Sequence, residues 1–229
     1  YISILLLTTS LATQAIECLT APRGERHLTP SLNWIVIGIF VIARDMSFLR
    51  RVACILDNLY LCGAAAVTPE VFAQYNIKCV INVTLDVPSI ALPGITSYKV
   101  AVDDNIAARL APHFDRCIDQ IEKTRREGGN TLVHCKAGCS RSATICIAYL
   151  MKMRGYSLRQ AYYHVKDRRA IIRPNVGFFR QLIAYEKSIF GHNSVKMVSS
   201  PIGIIPDVYE PETRNMVYVP SSRVRSRPR

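Results

Sequence analysis

From residue 54 onward the chain alternates short apolar runs with amphipathic stretches. Residues 55–61, 79–83 and 97–102 are short, apolar and rich in β-branched side chains, which predicts strands. Between the first two, Thr68-Pro69-Glu70 supplies an N-cap and a proline at the first helical position, predicting a short helix to Tyr75. Pro112 opens a longer one. Phe114, Cys117, Ile118 and Ile121 recur at helical spacing, Arg125 and Arg126 suit the last turn, and Gly128-Gly129 ends it. A buried strand follows at 131–134, then a loop and an apolar helix over 142–153 that stops at Gly155. Ser157 caps another helix, and a last one runs over 176–190 to Gly191. Strands alternating with helices predict an α/β fold, with a mostly parallel central sheet flanked by helices.

Composition narrows the class. With 49% hydrophobic residues and scattered Gly and Pro, the chain is neither collagenous nor disordered throughout. The formal charge of +12 over 229 residues points to anionic partners. Cys54, Cys62, Cys79, Cys117 and Cys146 lie within apolar runs, where a free cysteine behaves as a small buried hydrophobe. There is no CxxC pair and no Cys/His cluster with zinc spacing, so neither a metal nor a disulfide framework is expected. That usage fits a reducing intracellular compartment, cytoplasmic or nuclear.

Residues 1–53 stand apart. Residues 2–7 and 34–43 are apolar, but each falls short of the roughly 20 residues a membrane-crossing helix needs. No basic residue precedes the first run, as a secretory signal requires. A targeting segment (mitochondrial or membrane), a truncated anchor and upstream sequence that is not natively translated all stay open. The last is the preferred expectation, because the globular pattern starts just after Met46, the first methionine. At the other end Arg223, Arg225, Arg227 and Arg229 read as a solvated basic tail over 220–229.

The chemistry lies where the 131–134 strand meets the next helix. The segment His134-Cys135-Lys136-Ala137-Gly138-Cys139-Ser140-Arg141-Ser142 ends a strand in a cysteine, spaces it by five residues from an arginine, and starts a helix. Amides from 136 to 141 converge on one point, where the helix also aims its positive dipole end. Arg141 offers a bidentate fork to two oxygens of an oxyanion. The same field favours a thiolate, which makes Cys135 a nucleophile at neutral pH. Gly138 permits a backbone conformation that other residues disfavour. A lone cysteine at a strand end would read as core. Strand, cysteine, five-residue loop, arginine and helix together do not.

This segment resembles the Cys-x5-Arg signature of the protein tyrosine phosphatase superfamily, and HCKAGCSRSAT is similar to the dual-specificity phosphatases. The resemblance runs over about residues 54–219. It includes Ile147-Ala148-Tyr149-Leu150-Met151 and Ile172-Arg173-Pro174-Asn175-x-Gly177-Phe178. Residues 195–201 and 205–210 look like the extension of a small atypical subgroup. It implies a phosphatase-like catalytic domain over 54–191, an extension over 192–219, and no cofactor. Two departures stand out. Ala170 replaces the proline usual after Arg169, and Lys136 stands where many relatives have alanine, which bears on substrate preference.

The resemblance further implies attack of Cys135 on phosphorus and hydrolysis of the resulting phosphocysteine. A loop carboxylic acid protonates the leaving oxygen. Alignment of Phe114-Asp115 with the family's helix makes Asp104 that acid and Asp103 a solvated neighbour. Ser142 is expected to assist departure of the Cys135 sulfur, His134 to support the loop by hydrogen bonding, and Asn175 to cap the last helix or brace the loop. A helix-start serine and a helix-cap asparagine are the plainer alternatives. Cys139 has a small-residue loop role, with oxidation to a Cys135 disulfide left open.

Over residues 131–200 twelve Lys and Arg face only Asp167 and Glu186, a balance that concentrates acidic, phosphorylated substrates. No nucleic-acid module or interleaved aromatics appear, so nucleic acid is not an expected partner. Membrane association stays open. The expected activity is hydrolysis of phosphotyrosine and phosphoserine/threonine in proteins, with mitogen-activated protein kinases as candidate substrates. Phosphoinositide or RNA 5′-phosphate hydrolysis, and phosphoprotein binding without turnover, are the rivals. The loop carries only Lys136 before Arg141, unlike lipid-directed relatives, and retains Cys135, Arg141 and Asp104.

Overall fold

The computed structural model describes residues 50–213; the apolar runs before residue 50 and the basic tail lie outside the described residues. The first apolar run forms two strands rather than one. β1 (Ala53–Leu56) and β2 (Leu59–Gly63) pair antiparallel, with Ala53 opposite Leu61 and Leu56 opposite Leu59. Asp57-Asn58 makes the turn between them, two residues whose short polar side chains favour turns over strands. The polar pair interrupts an otherwise apolar run by only two residues, a break short enough to read as part of one strand.

The remaining elements follow the expected alternation. A Thr68-capped helix α1 (Pro69–Gln74) leads to β3 (Ile77–Asn82) and β4 (Thr96–Lys99). The fourth strand is shorter than the apolar pattern, which continues through the buried Val100 and Val102 as loop. Helix α2 (Phe114–Arg126) buries the anticipated stripe of Phe114, Cys117, Ile118 and Ile121. Strand β5 (Asn130–Cys135) precedes α3 (Arg141–Arg154), whose end at Gly155 is left-handed, with φ +68°. Ser157 and Gln160 form a capping box on α4 (Leu158–Arg168), and Asn175 caps α5 (Val176–Phe190).

The sheet order is β1-β2-β5-β3-β4, antiparallel only at β1-β2. β5 is therefore the middle strand. Its side chains alternate between two apolar layers. Val133 joins the larger core with residues of α2 to α5, while Leu132 joins Cys62, Val80 and Phe72 beside α1. Parallel strands flanked on both sides place the carboxyl end of β5 at a crevice, the usual ligand position in such sheets.

The carboxy-terminal segment docks onto this frame. Strands β6 (Met197–Ser200) and β7 (Gly203–Pro206) form a hairpin, followed by a short helix α6 (Glu210–Thr213). The buried Glu186 accepts from Leu158 N at 2.7 Å, Ser194 N at 2.8 Å and Ser194 Oγ at 2.6 Å, tying α5 to α4 and the tail. Tyr209 packs against Phe179 with ring centroids 5.1 Å apart and donates to Pro174 O at 2.8 Å.

Candidate active site

Cys135 is the last residue of β5, buried and flanked in register by Gly63 of β2. The five residues after it turn back before α3 begins. Their carbonyls are tied outward one after another. Lys136 O accepts from Ala64 N at 3.1 Å and Cys139 O from Arg173 N at 2.9 Å. Ala137 O and Gly138 O both accept from the Arg169 guanidinium, at 3.0 and 2.8 Å. In a planar trans peptide the N–H points opposite to the C=O. The amides of 137–140 therefore face the other side of the loop, and among the described residues they donate to no protein acceptor. Together with the start of α3 they form a cradle for an anion.

Gly138 is required twice over. Its φ is +70°, and a Cβ there would stand 2.5 Å from the carbonyl of Cys62 and 2.7 Å from Gly63 N. The loop thus rests directly on the backbone of β2. No side chain fits between.

Arg141 enters the cradle from the first turn of α3. Its side chain is nearly buried and is aimed by a hydrogen bond from Nη1 to Val102 O at 3.1 Å. Nε lies 3.5 Å from Asp104 Oδ2 and has no hydrogen-bond partner among the described residues. A buried guanidinium with an unused donor beside converging amides suits a multivalent oxyanion. The next residue, Ser142, is also buried and donates from Oγ to Cys135 Sγ at 3.1 Å. Neighbouring thiols are held in the protonated state by burial. Cys62 is pushed up to about 12, and Cys146 is raised further.

Asp104 closes the site from the loop after β4. Oδ1 accepts from Ser140 Oγ at 2.8 Å and from Asn175 Nδ2 at 2.8 Å. Ser140 Oγ in turn accepts from Asn175 N at 3.1 Å, and Asn175 Oδ1 caps α5 by accepting from Phe178 N at 3.0 Å. Asn175 thus both caps the helix and braces the loop. Asp103 faces away from this cluster, accepting from Asn105 Nδ2 and Asp104 N. The Asn105 amide and the backbone donor hold its carboxyl below the usual range.

His134 is buried; its Nδ1 has no partner among the described residues, while the Cys135 backbone beside the ring favours the charged form. Burial pushes its pKa down to about 4, so the imidazole is neutral. Its backbone also holds the strand end, His134 O accepting from Val83 N at 2.8 Å. Lys136 turns out of the cradle to an exposed ion pair with Asp86, 3.1 Å away. Cys139 is half-buried, its thiol contacting Ala137 O at 3.6 Å.

Arg169 is the functional residue that sequence reasoning missed. Besides the two loop carbonyls it reaches Arg51 O at 2.7 Å. One of two adjacent arginines near a helix end carries no local mark of such a role. Its agreement with the family pattern was the available signal.

Residues 59–188 match the family model described as dual specificity phosphatase, catalytic domain. The chain is 46% identical over 167 residues to human dual specificity protein phosphatase 14, covering 72% of this chain and 84% of that protein. It is 44% identical over 164 residues to human dual specificity protein phosphatase 18, covering 71% and 87%. A crystal structure of human DUSP28 superposes with a TM-score of 0.58 at 37% identity, covering 60% of this chain and 94% of that one.

Proposed function

We propose, from the premise that this chain belongs to the dual specificity phosphatase family and is a protein-tyrosine/serine/threonine phosphatase, that its reaction runs through a phosphocysteine on Cys135. The supporting observation is the cradle itself. Four consecutive carbonyls are tied outward, and Arg141 and the amides converge beside a buried sulfur that Ser142 contacts. The substrates are phosphorylated proteins.

In the first step the Cys135 thiolate attacks phosphorus while the amides of the loop and Arg141 hold the equatorial oxygens. The bond from phosphorus to the serine, threonine or tyrosine oxygen breaks, and Asp104 gives that oxygen its proton. In the second step water attacks the phosphocysteine and the Asp104 carboxylate takes the water's proton. The sulfur leaves as a thiolate, stabilised by the Ser142 hydroxyl, and inorganic phosphate departs. The protein is regenerated with one water consumed.

Mitogen-activated protein kinases phosphorylated on their activation loops are the substrates we assign, on the strength of the family resemblance. The excess of Lys and Arg over residues 131–200 favours an acidic, doubly phosphorylated segment. The test is turnover on phosphotyrosyl and phosphothreonyl peptides, a doubly phosphorylated kinase, a phosphoinositide and an RNA 5′-phosphate, with Cys135→Ser beside the native protein. Release of phosphate from both peptides and the kinase, abolished in Cys135→Ser, supports the assignment. Turnover confined to lipid or RNA, or retained in Cys135→Ser, overturns it.

A further inference from the structure

The catalytic loop and the acid loop share one hydroxyl. Ser140 lies between Cys139 and Arg141, where the cradle needs only its backbone, yet its side chain leaves the cradle to reach Asp104. Oγ is a donor to Asp104 Oδ1 at 2.8 Å and an acceptor from Asn175 N at 3.1 Å, so both of its hydrogen-bonding directions are committed. Ser140 also occupies the N-cap position of α3 without using its side chain as a cap. A serine at a helix start ordinarily caps. This one does not.

We infer that Ser140, with Asn175, is a positioning residue for the acid: together they fix the Asp104 carboxylate over the cradle. The inference rests on the proposed role of Asp104 as proton donor. Two donors converge on Oδ1, leaving Oδ2 3.5 Å from Arg141 Nε as the oxygen that faces the cradle. Asn175 is itself rigid, because Oδ1 caps α5 and because Pro174, just before it, is held by Tyr209 Oη. The acid loop is thereby latched to two elements that also build the cradle. Ser140 belongs to the loop, and Arg173, two residues before Asn175, binds Cys139 O. The charged and titratable groups around Asp104 are Arg141 from α3, Cys139 from the loop and the adjacent Asp103.

Removing the latch costs the carboxyl its aim, which slows leaving groups that need a proton; a misplaced group of this kind costs up to about 10²-fold.

The experiment compares native protein, Ser140→Ala and Asn175→Asp on a phosphopeptide and on an activated aryl phosphate across pH, each also in an Asp104→Asn background. Asn175→Asp retains a good cap for α5 but replaces the donor with a second carboxylate facing Asp104. The expected result is a fall in kcat of roughly 10- to 100-fold on the phosphopeptide and a smaller one on the aryl phosphate. In the Asp104→Asn background neither change should add to the loss, since residues acting through one group are not additive. Equal losses on both substrates would make Ser140 a structural part of the cradle and overturn the inference, as would additive losses. If Ser140→Ala does not fold, the leaving-group dependence of Asn175→Asp and its additivity decide the same point. Failure of the acid assignment is separately visible, because Asp104→Asn alone would then show no dependence on leaving group.

Discussion

Ser142 Oγ stands 3.1 Å from Cys135 Sγ, with both side chains buried and the hydroxyl donating to the sulfur. This bond strengthens whenever the sulfur carries charge, and in the second half of the reaction the sulfur departs as a thiolate. Ser142→Ala should therefore slow hydrolysis of the phosphocysteine more than its formation. A hydrogen bond to a charged group is worth about 1.5–3 kcal/mol, so kcat should fall roughly 10- to 100-fold. Rapid quenching should reveal a burst of leaving group and an accumulated phosphoenzyme. A kcat loss without a burst would assign Ser142 to the first step.

Arg169 holds two successive loop carbonyls and a third at Arg51. Lysine keeps the charge but offers one nitrogen in place of a planar fork. Arg169→Lys should release at least one carbonyl and let the amide beyond it turn out of the cradle. Inhibition by inorganic phosphate should weaken roughly tenfold and kcat/KM should fall with it. Far-ultraviolet circular dichroism should be unchanged. Native phosphate affinity in this variant would show that the loop holds its shape without the guanidinium.

The parts of the site that could be read from the chain are those whose residues are contiguous. Cys135, Gly138, Arg141 and Ser142 lie within one strand–loop–helix unit, so local periodicity places them together. Asp104 required a register argument from Phe114, and its acid-facing geometry depends on partners 36 and 71 residues away. Nothing near Arg169 or Ser140 advertises a bond across the fold. The break at Asp57-Asn58 was hidden differently. A two-residue polar turn inside an otherwise apolar run is short enough to read as part of one strand, so one predicted strand became a hairpin. For His134 the resemblance implies a loop-supporting hydrogen bond; its ring is buried, and Nδ1 has no partner among the described residues.

That burial has a consequence for stability. The unfolded imidazole titrates near 6.5 and the folded one near 4. As pH falls through this window the unfolded chain binds a proton that the folded chain refuses, so stability is lost with acidification. The difference amounts to about 3 kcal/mol between the two ends. His134→Gln should flatten this part of the curve of unfolding free energy against pH. Parallel curves for the two proteins would show that the native ring takes up its proton normally.

The acid is tested by the chemistry of the leaving group. Serine, threonine and tyrosine oxygens leave poorly without a proton, whereas activated aryl phosphates with low-pKa leaving groups need little help. General acid catalysis is typically worth about 10²–10⁴-fold. Asp104→Asn should slow phosphopeptide turnover by about that factor and aryl phosphate turnover by less. It should also flatten the alkaline limb of the pH–rate profile, since that limb reports loss of the acid's proton. Asp103→Asn should do neither, because its carboxylate is turned toward Asn105 and the Asp104 amide and is held ionised there. The two residues are adjacent in one loop and carry the same side chain, so the pair controls for the loss of a carboxylate there. Exchange of the two phenotypes would make Asp103 the donor and would require the loop to turn by one residue during catalysis, breaking the bonds from Ser140 and Asn175 to Asp104. Full activity in both variants would place the proton donor outside this loop.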